Sequence, residues 1–157
     1  MRSKLILALA IALPLIAGFA GSLFTTPQIP GWYAGLVKPF LNPPSWIFAP
    51  VWTLLYVLMG YASYLVYKNR NTNKSLANKA LGLYAVHLLV NLSWSLVFFG
   101  GQNPDMALAI IALLWAMIVV LALLFSRISK LAGLLLVPYL FWVTFATYLN
   151  ASIVFLN

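Results

Sequence analysis

Polar positions gather into four short stretches, which leave five long apolar runs at 5–24, 46–67, 80–99, 106–125 and 132–156. Each run is long enough to cross about 30 Å of hydrocarbon as a helix. The pattern predicts an all-α integral membrane protein, a five-transmembrane-helix bundle forming one domain over 1–157. The connector 25–45 differs from the others in being rich in proline and aromatic residues. Pro39, Pro43 and Pro44 fix the backbone and remove donors, so 39–44 cannot be helix interior. Asn42-Pro43-Pro44-Ser45 reads as a stop followed by a cap, with Ser45 accepting from the helix that Trp46 opens. A stiff connector of this kind lying over helix ends is expected to act as a lid. The other links are a polar loop at 68–79, a tight turn at 102–105 after Gly100-Gly101, and a short basic loop at 126–131. Pro138 interrupts the last run.

Composition agrees with that pattern. The chain is 64% hydrophobic and 6% charged, whereas a soluble domain carries about a quarter charged residues. Cysteine is absent, and one acid (Asp105) and one histidine (His87) are present. Thiol chemistry, paired-carboxylate chemistry and a protein-held metal are therefore not expected. Asp105, just after Pro104, reads as a first-turn residue favoured by the helix dipole. The net charge of +8 does not point to nucleic acid, because the basic residues flank the apolar runs. Arg2 and Lys4, then Lys68, Arg70, Lys74 and Lys79, then Arg127 and Lys130 fall on one side of a five-span topology; Lys38 alone falls on the other. That asymmetry predicts a cytoplasmic N-terminus, with the lid and the C-terminus outside, in a bacterial inner membrane. A secretory signal peptide is the rival reading of the first segment, although its apolar run exceeds the usual length. Ala17 and Gly21 form a small-xxx-small pair that lets another helix come close.

At about 100° per residue, each of three runs carries an aromatic and sparsely polar stripe. The second has Phe48, Trp52, Tyr56, Met59 and Ser63. The third has Tyr84, His87, Asn91, Trp94 and Phe98. The fifth has Tyr139, Trp142, Ala146, Leu149 and Asn150. Asparagine against lipid is costly, so Asn91 and Asn150 should face protein or a cavity. The stripes converge in the lid-side half, beneath Trp32 and Tyr33. Flat aromatic walls with few hydrogen-bonding groups suit a large, flat, apolar ligand. The simpler readings are an interfacial aromatic belt for Trp46, Tyr61, Tyr64 and Tyr67, helix–helix hydrogen bonding for Asn91 and Asn150, and packing for His87.

These residues resemble the translocator protein family, called tryptophan-rich sensory proteins (TspO) in bacteria and the peripheral benzodiazepine receptor in animal mitochondria. The strongest stretch is W-Y-x-x-L-x-K-P-x-x-N-P-P-x-W-x-F-x-x-x-W-x-x-L-Y from Trp32 to Tyr56. Supporting stretches are L-G-L-Y at 81–84, Asn91 with Trp94, F-F-G at 98–100, and P-Y-L-x-W-x-x-F-A-T-x-L-N at 138–150. The resemblance implies a retained first helix, a homodimer, and a pocket closed by the first long loop that takes porphyrins such as protoporphyrin IX and related flat hydrophobic molecules, including isoquinoline ligands. No cofactor is required. It carries over Tyr33, Pro43, Phe48, Trp52, Tyr56, Asn91, Trp94, Trp142, Ala146 and Leu149 as pocket positions; the stripes and the lid add Trp32, His87 and Phe98. The expected role is transport, scavenging or stress sensing. The alternatives are light- and oxygen-dependent porphyrin breakdown, which would use Trp52 and Trp142, and a regulatory interaction protein. In three places the chain departs from the family pattern, one being Phe40 in the loop where several relatives have Trp, which keeps stacking but loses a donor. The basic residue of the animal cholesterol motif is missing after Asn150, and His87 stands where several relatives have Gln.

Overall fold

The computed structural model describes residues 2–157, with side chains from Ser3 onward; the side chain of Arg2, counted above among the basic residues, lies outside them. Five helical segments are long and apolar enough to cross a membrane. Helix α1 (Arg2–Thr25) runs on through a 3-10 turn (Thr26–Gln28) and a π turn (Ile29–Tyr33). A 3-10 turn (Ser45–Ile47) leads into α2 (Phe48–Lys68). Helix α3 (Lys74–Ser95) ends in a second π turn (Leu96–Gly100), and α4 is Pro104–Ile128. The fifth span is split into α5 (Lys130–Leu134) and α6 (Val137–Leu156).

Several boundaries differ from the sequence expectation, each for a local reason. Only 36–44 of the connector is irregular. Pro27 and Pro30 sit in the first turn of the 3-10 and π segments, where a missing N–H costs nothing. Ser45 is not a cap: it is exposed, and the Pro44 carbonyl accepts from Ile47 N at 3.0 Å without side-chain help. The loop expected at 68–79 is shorter, because Asn73 accepts from Leu76 N at 3.0 Å and starts α3 six residues before the apolar run. Its polar first turn extends the helix beyond the hydrophobic stretch. Likewise Asn103 caps α4, with Pro104 in its first turn and Asp105 beside it. Gln102 makes the link before α4 with φ 50°, the one positive φ among the described non-glycine residues. The fifth span breaks at Leu135–Leu136, and Pro138 sits in the first turn after the break.

Around the bundle, α1 packs on α2 and α3, α4 packs on α3 and α6, and α5 folds back on α4 and α2. Small residues set the closest approaches. A Cβ on Gly60 would lie 2.7 Å from both the Ala10 carbonyl oxygen and Ile11 Cα, so α1 and α2 meet backbone to side. Gly21 of the Ala17/Gly21 pair faces Ser95 of α3 within the same chain. The half of the bundle away from the lid is solidly filled by Met59, Val66, Ile118, Leu121, Phe125 and Leu136. The lid-side half is not.

Candidate functional site

A cavity of about 410 Å³ occupies the lid-side half, within the range of about 300–1,000 Å³ usual for small-molecule pockets. Its walls come from every span. Helix α2 contributes Phe48, Trp52 and Tyr56; α3 contributes Asn91 and Trp94, and its π turn adds Phe98 and Phe99. From α6 come Trp142, Ala146, Leu149 and Asn150. The three stripes read from the sequence therefore meet, and Tyr33 closes the top.

Aromatic contacts and two asparagines fix these walls. Trp52 stacks on Tyr56 (centroids 5.6 Å apart, 29° between planes) and meets the edge of Tyr139 at 6.1 Å. Trp94 stacks on Phe98 at 5.1 Å, and its indole N–H donates to Asn150 Oδ1 at 3.0 Å. Asn150 Nδ2 in turn donates to the Pro104 carbonyl at 2.8 Å. Asn91 accepts from Tyr56 Oη at 2.9 Å and donates to Tyr139 Oη at 2.8 Å. Both asparagines thus face protein, where burial without partners would cost about 1–3 kcal/mol per group. Trp142 packs edge-on against Phe48 at 6.0 Å and tilted against Phe145 at 5.7 Å, while its indole N–H has no protein partner. Trp142 lines the cavity with its ring, and that nitrogen is itself buried.

The lid is tied at several points. Tyr33 Oη donates to Asn42 Oδ1 at 3.1 Å. Lys38 Nζ caps the Ala34 and Leu36 carbonyls at 3.2 and 3.0 Å and lies 4.8 Å from the centre of the Tyr33 ring. Asn157 grips Val37 from both sides, accepting from its N–H at 2.9 Å and donating to its carbonyl at 3.0 Å. Asn157→Ala should therefore free the lid. Hydrogen exchange of the amides in 36–44 is expected to speed up roughly fivefold, the effect of about 1 kcal/mol of lost hydrogen bonding. Unchanged exchange there would show that the grip is incidental. Phe40 at the lid tip is fully exposed (100%).

Three residues expected in the pocket do not border it. Trp32 lies behind the wall, edge-on to Phe98 at 5.6 Å and to Phe99 at 6.4 Å, because the π turn rotates Tyr33 rather than Trp32 inward. Pro43 is part of the lid strand, where its carbonyl accepts from Asn42 Nδ2 at 3.2 Å. His87 lies one turn below Asn91, separated from the cavity by Tyr139. Conversely, sequence reasoning missed Leu15, Gly18 and Phe19 of α1 and Ile111 and Leu114 of α4. Both helices are almost uniformly apolar, so no polar or aromatic stripe marks their inner face. Gly18 carried the one available signal: a Cβ there would lie 2.2 Å from the Tyr56 ring, so this helical glycine makes room for a cavity residue.

Comparison with known proteins agrees with this architecture. The model of the TspO/MBR family matches residues 10–156. The tryptophan-rich protein TspO of Chlorobaculum tepidum is 50% identical over 156 residues, covering 99% of this chain and 98% of its own. The human translocator protein is 40% identical over 137 residues, covering 87% and 81%. The tryptophan-rich sensory protein of Cereibacter sphaeroides is 39% identical over 126 residues, covering 80% and 77%.

Proposed function

The chain belongs to the TspO/MBR family of integral, multi-pass membrane proteins, and from that premise we propose that it binds tetrapyrroles of the protoporphyrin IX type in the cavity beneath its lid. The observation that carries the reading is the meeting of Trp52, Trp94 and Trp142, from three different helices, on one apolar hollow of about 410 Å³. Indole faces held at fixed angles suit a flat conjugated macrocycle, which gains from stacking and edge contacts on several sides. Hydroxyls of Ser22, Thr25, Thr26, Thr53 and Ser95 join Asn91 and Asn150 on the lining, and among the described residues no charged side chain does. The carboxylates of such a ligand would then point to the rim, where Lys38 is the nearest cation in the sequence.

The same reading places the protein in a bacterial inner membrane. Among the described residues Lys4, Lys68, Arg70, Lys74, Lys79, Arg127 and Lys130 gather at the end opposite the lid. By the positive-inside rule that end is cytoplasmic, and the lid and C-terminus are outside. Binding serves transport, scavenging or stress sensing of the pigment, with the homodimer implied by the resemblance as the working unit. The test is a titration of purified protein with protoporphyrin IX, followed by tryptophan fluorescence. Saturable quenching at one ligand per chain is expected, and linear, non-saturating quenching would refute the proposal.

A further inference from the structure

Below the cavity floor a line of hydrogen bonds leads away from the lid and ends at the one histidine of the sequence. Tyr56 and Asn91 border the cavity; Tyr139 and His87 lie behind them. All four are buried, His87 to 1% exposure. The links are Tyr56 Oη to Asn91 Oδ1 at 2.9 Å, Asn91 Nδ2 to Tyr139 Oη at 2.8 Å, and Tyr139 Oη to His87 Nε2 at 2.8 Å. Trp52, stacked on Tyr56 and edge-on to Tyr139, holds both phenol rings in place.

Each link has a direction. An amide nitrogen only donates, so the Tyr139 oxygen accepts from Asn91. A phenol carries a single proton, so that of Tyr139 goes to His87 Nε2. This arrangement uses the Tyr139 proton and makes that nitrogen the acceptor, with the proton of the neutral ring on Nδ1, which is buried and has no partner. At the other end the proton of Tyr56 is committed to Asn91. Its oxygen offers the cavity lone pairs and no donor.

The line can also run the other way with no change beyond a half-turn of the Asn91 amide. If position 87 cannot accept, the Tyr139 proton turns to Asn91. The amide then exchanges its oxygen and nitrogen, Asn91 donates to Tyr56, and the Tyr56 proton is released toward the cavity. Among the described residues nothing charged biases the choice. The titratable groups facing His87 are Tyr84 on its own helix, stacked at 5.7 Å, Tyr139 of α6 and, through Asn91, Tyr56 of α2. The inner face of α4 is apolar, and Lys4 of α1, Lys68 of α2, Asp105 and Arg127 of α4 and Lys130 of α5 are exposed near helix ends.

We infer that His87 is a positioning residue that sets, through Tyr139, Asn91 and Tyr56, whether the cavity floor accepts or donates a hydrogen bond, and so selects flat ligands that present an N–H to that floor over those that present a carbonyl. The inference rests on reading the cavity as a site for flat apolar ligands. Other lining groups such as Ser22, Thr53 and Ser95 act on both probes whatever His87 does, so the informative quantity is the change in preference between variants.

Two measurements test it. Because the chain has one histidine, selective ¹⁵N-histidine labelling reports its tautomer without ambiguity. A protonated Nδ1 and a bare Nε2 are expected, and the opposite tautomer in the ligand-free protein would overturn the relay. The second measurement uses two flat tricyclic probes, carbazole (a ring N–H donor) and fluorenone (a carbonyl acceptor). The ratio of carbazole to fluorenone affinity should fall roughly fivefold in His87→Leu, the worth of about one hydrogen bond, and hold within about twofold in His87→Gln, whose amide can still accept. An unchanged ratio in His87→Leu overturns the inference. If that variant does not fold, fluorenone added to the wild-type protein should move the ¹⁵N signals toward the Nε2–H tautomer, and no movement overturns it equally. Failure of either probe to bind the wild-type protein would instead remove the cavity reading beneath it, whatever the tautomer.

Discussion

Trp142→Ala and Trp52→Ala should each weaken protoporphyrin IX binding by about 1–2 kcal/mol, roughly a five- to thirtyfold rise in Kd. The two indoles stand on different helices and border the same cavity. Each loss removes an aromatic wall as well as apolar area that a macrocycle would cover. Trp142→Phe keeps an aromatic ring in that wall and should recover most of the loss. Trp46→Ala is the control, because Trp46 is 73% exposed and lies outside the cavity. Quenching titrations across the four variants give the comparison. Equal affinities in Trp142→Ala, Trp52→Ala and Trp46→Ala would place the ligand elsewhere.

Gly60→Val should be the most damaging single change to the bundle. The new Cβ would fall 2.7 Å from Ala10 O and from Ile11 Cα. Both are backbone atoms, so no side chain can rotate away and α1 must move as a unit. Overpacking of this kind costs about 1–3 kcal/mol or more, and at roughly 2–4 °C per kcal/mol the melting temperature in detergent should fall by several degrees. Binding should suffer as well, since Leu15, Gly18 and Phe19 of the displaced helix form one cavity wall. Gly82→Ala provides the contrast. Nothing lies within 4 Å of a Cβ there, and alanine favours helix over glycine by about 1 kcal/mol, so stability should hold or rise. Equal melting temperatures for Gly60→Val and the wild-type protein would show that the α1–α2 contact is looser than described.

The contrast between these glycines shows what the sequence could reveal. Stripes on the second, third and fifth runs were legible because a few polar and aromatic residues mark the face that must avoid lipid: Asn91 and Trp94 on one, Trp142 and Asn150 on another. α1 and α4 carry no such mark, so their inward residues could only be found in three dimensions. Gly60 and Gly82 look alike in sequence, and only the helix packed against Gly60 separates them. Trp32 and Tyr33 are adjacent, and the pitch of the π turn decides which one faces the cavity. His87 shares a stripe with Asn91 and Trp94, but it sits below the depth at which the core becomes solid, so the stripe gave its direction and not its layer. The polar start of α3 and the helical first half of the lid lie where apolar runs stop but caps and first-turn prolines let helices continue.

The hollow closed by Tyr33 is proposed as the seat of a tetrapyrrole. An experimental structure of the protein with protoporphyrin IX decides the matter. The expected result is a macrocycle bordered by Trp52, Trp94 and Trp142 with its carboxylates toward Lys38. A pigment resting on the lipid-facing surface, with the hollow empty or filled by its own side chains, would contradict it.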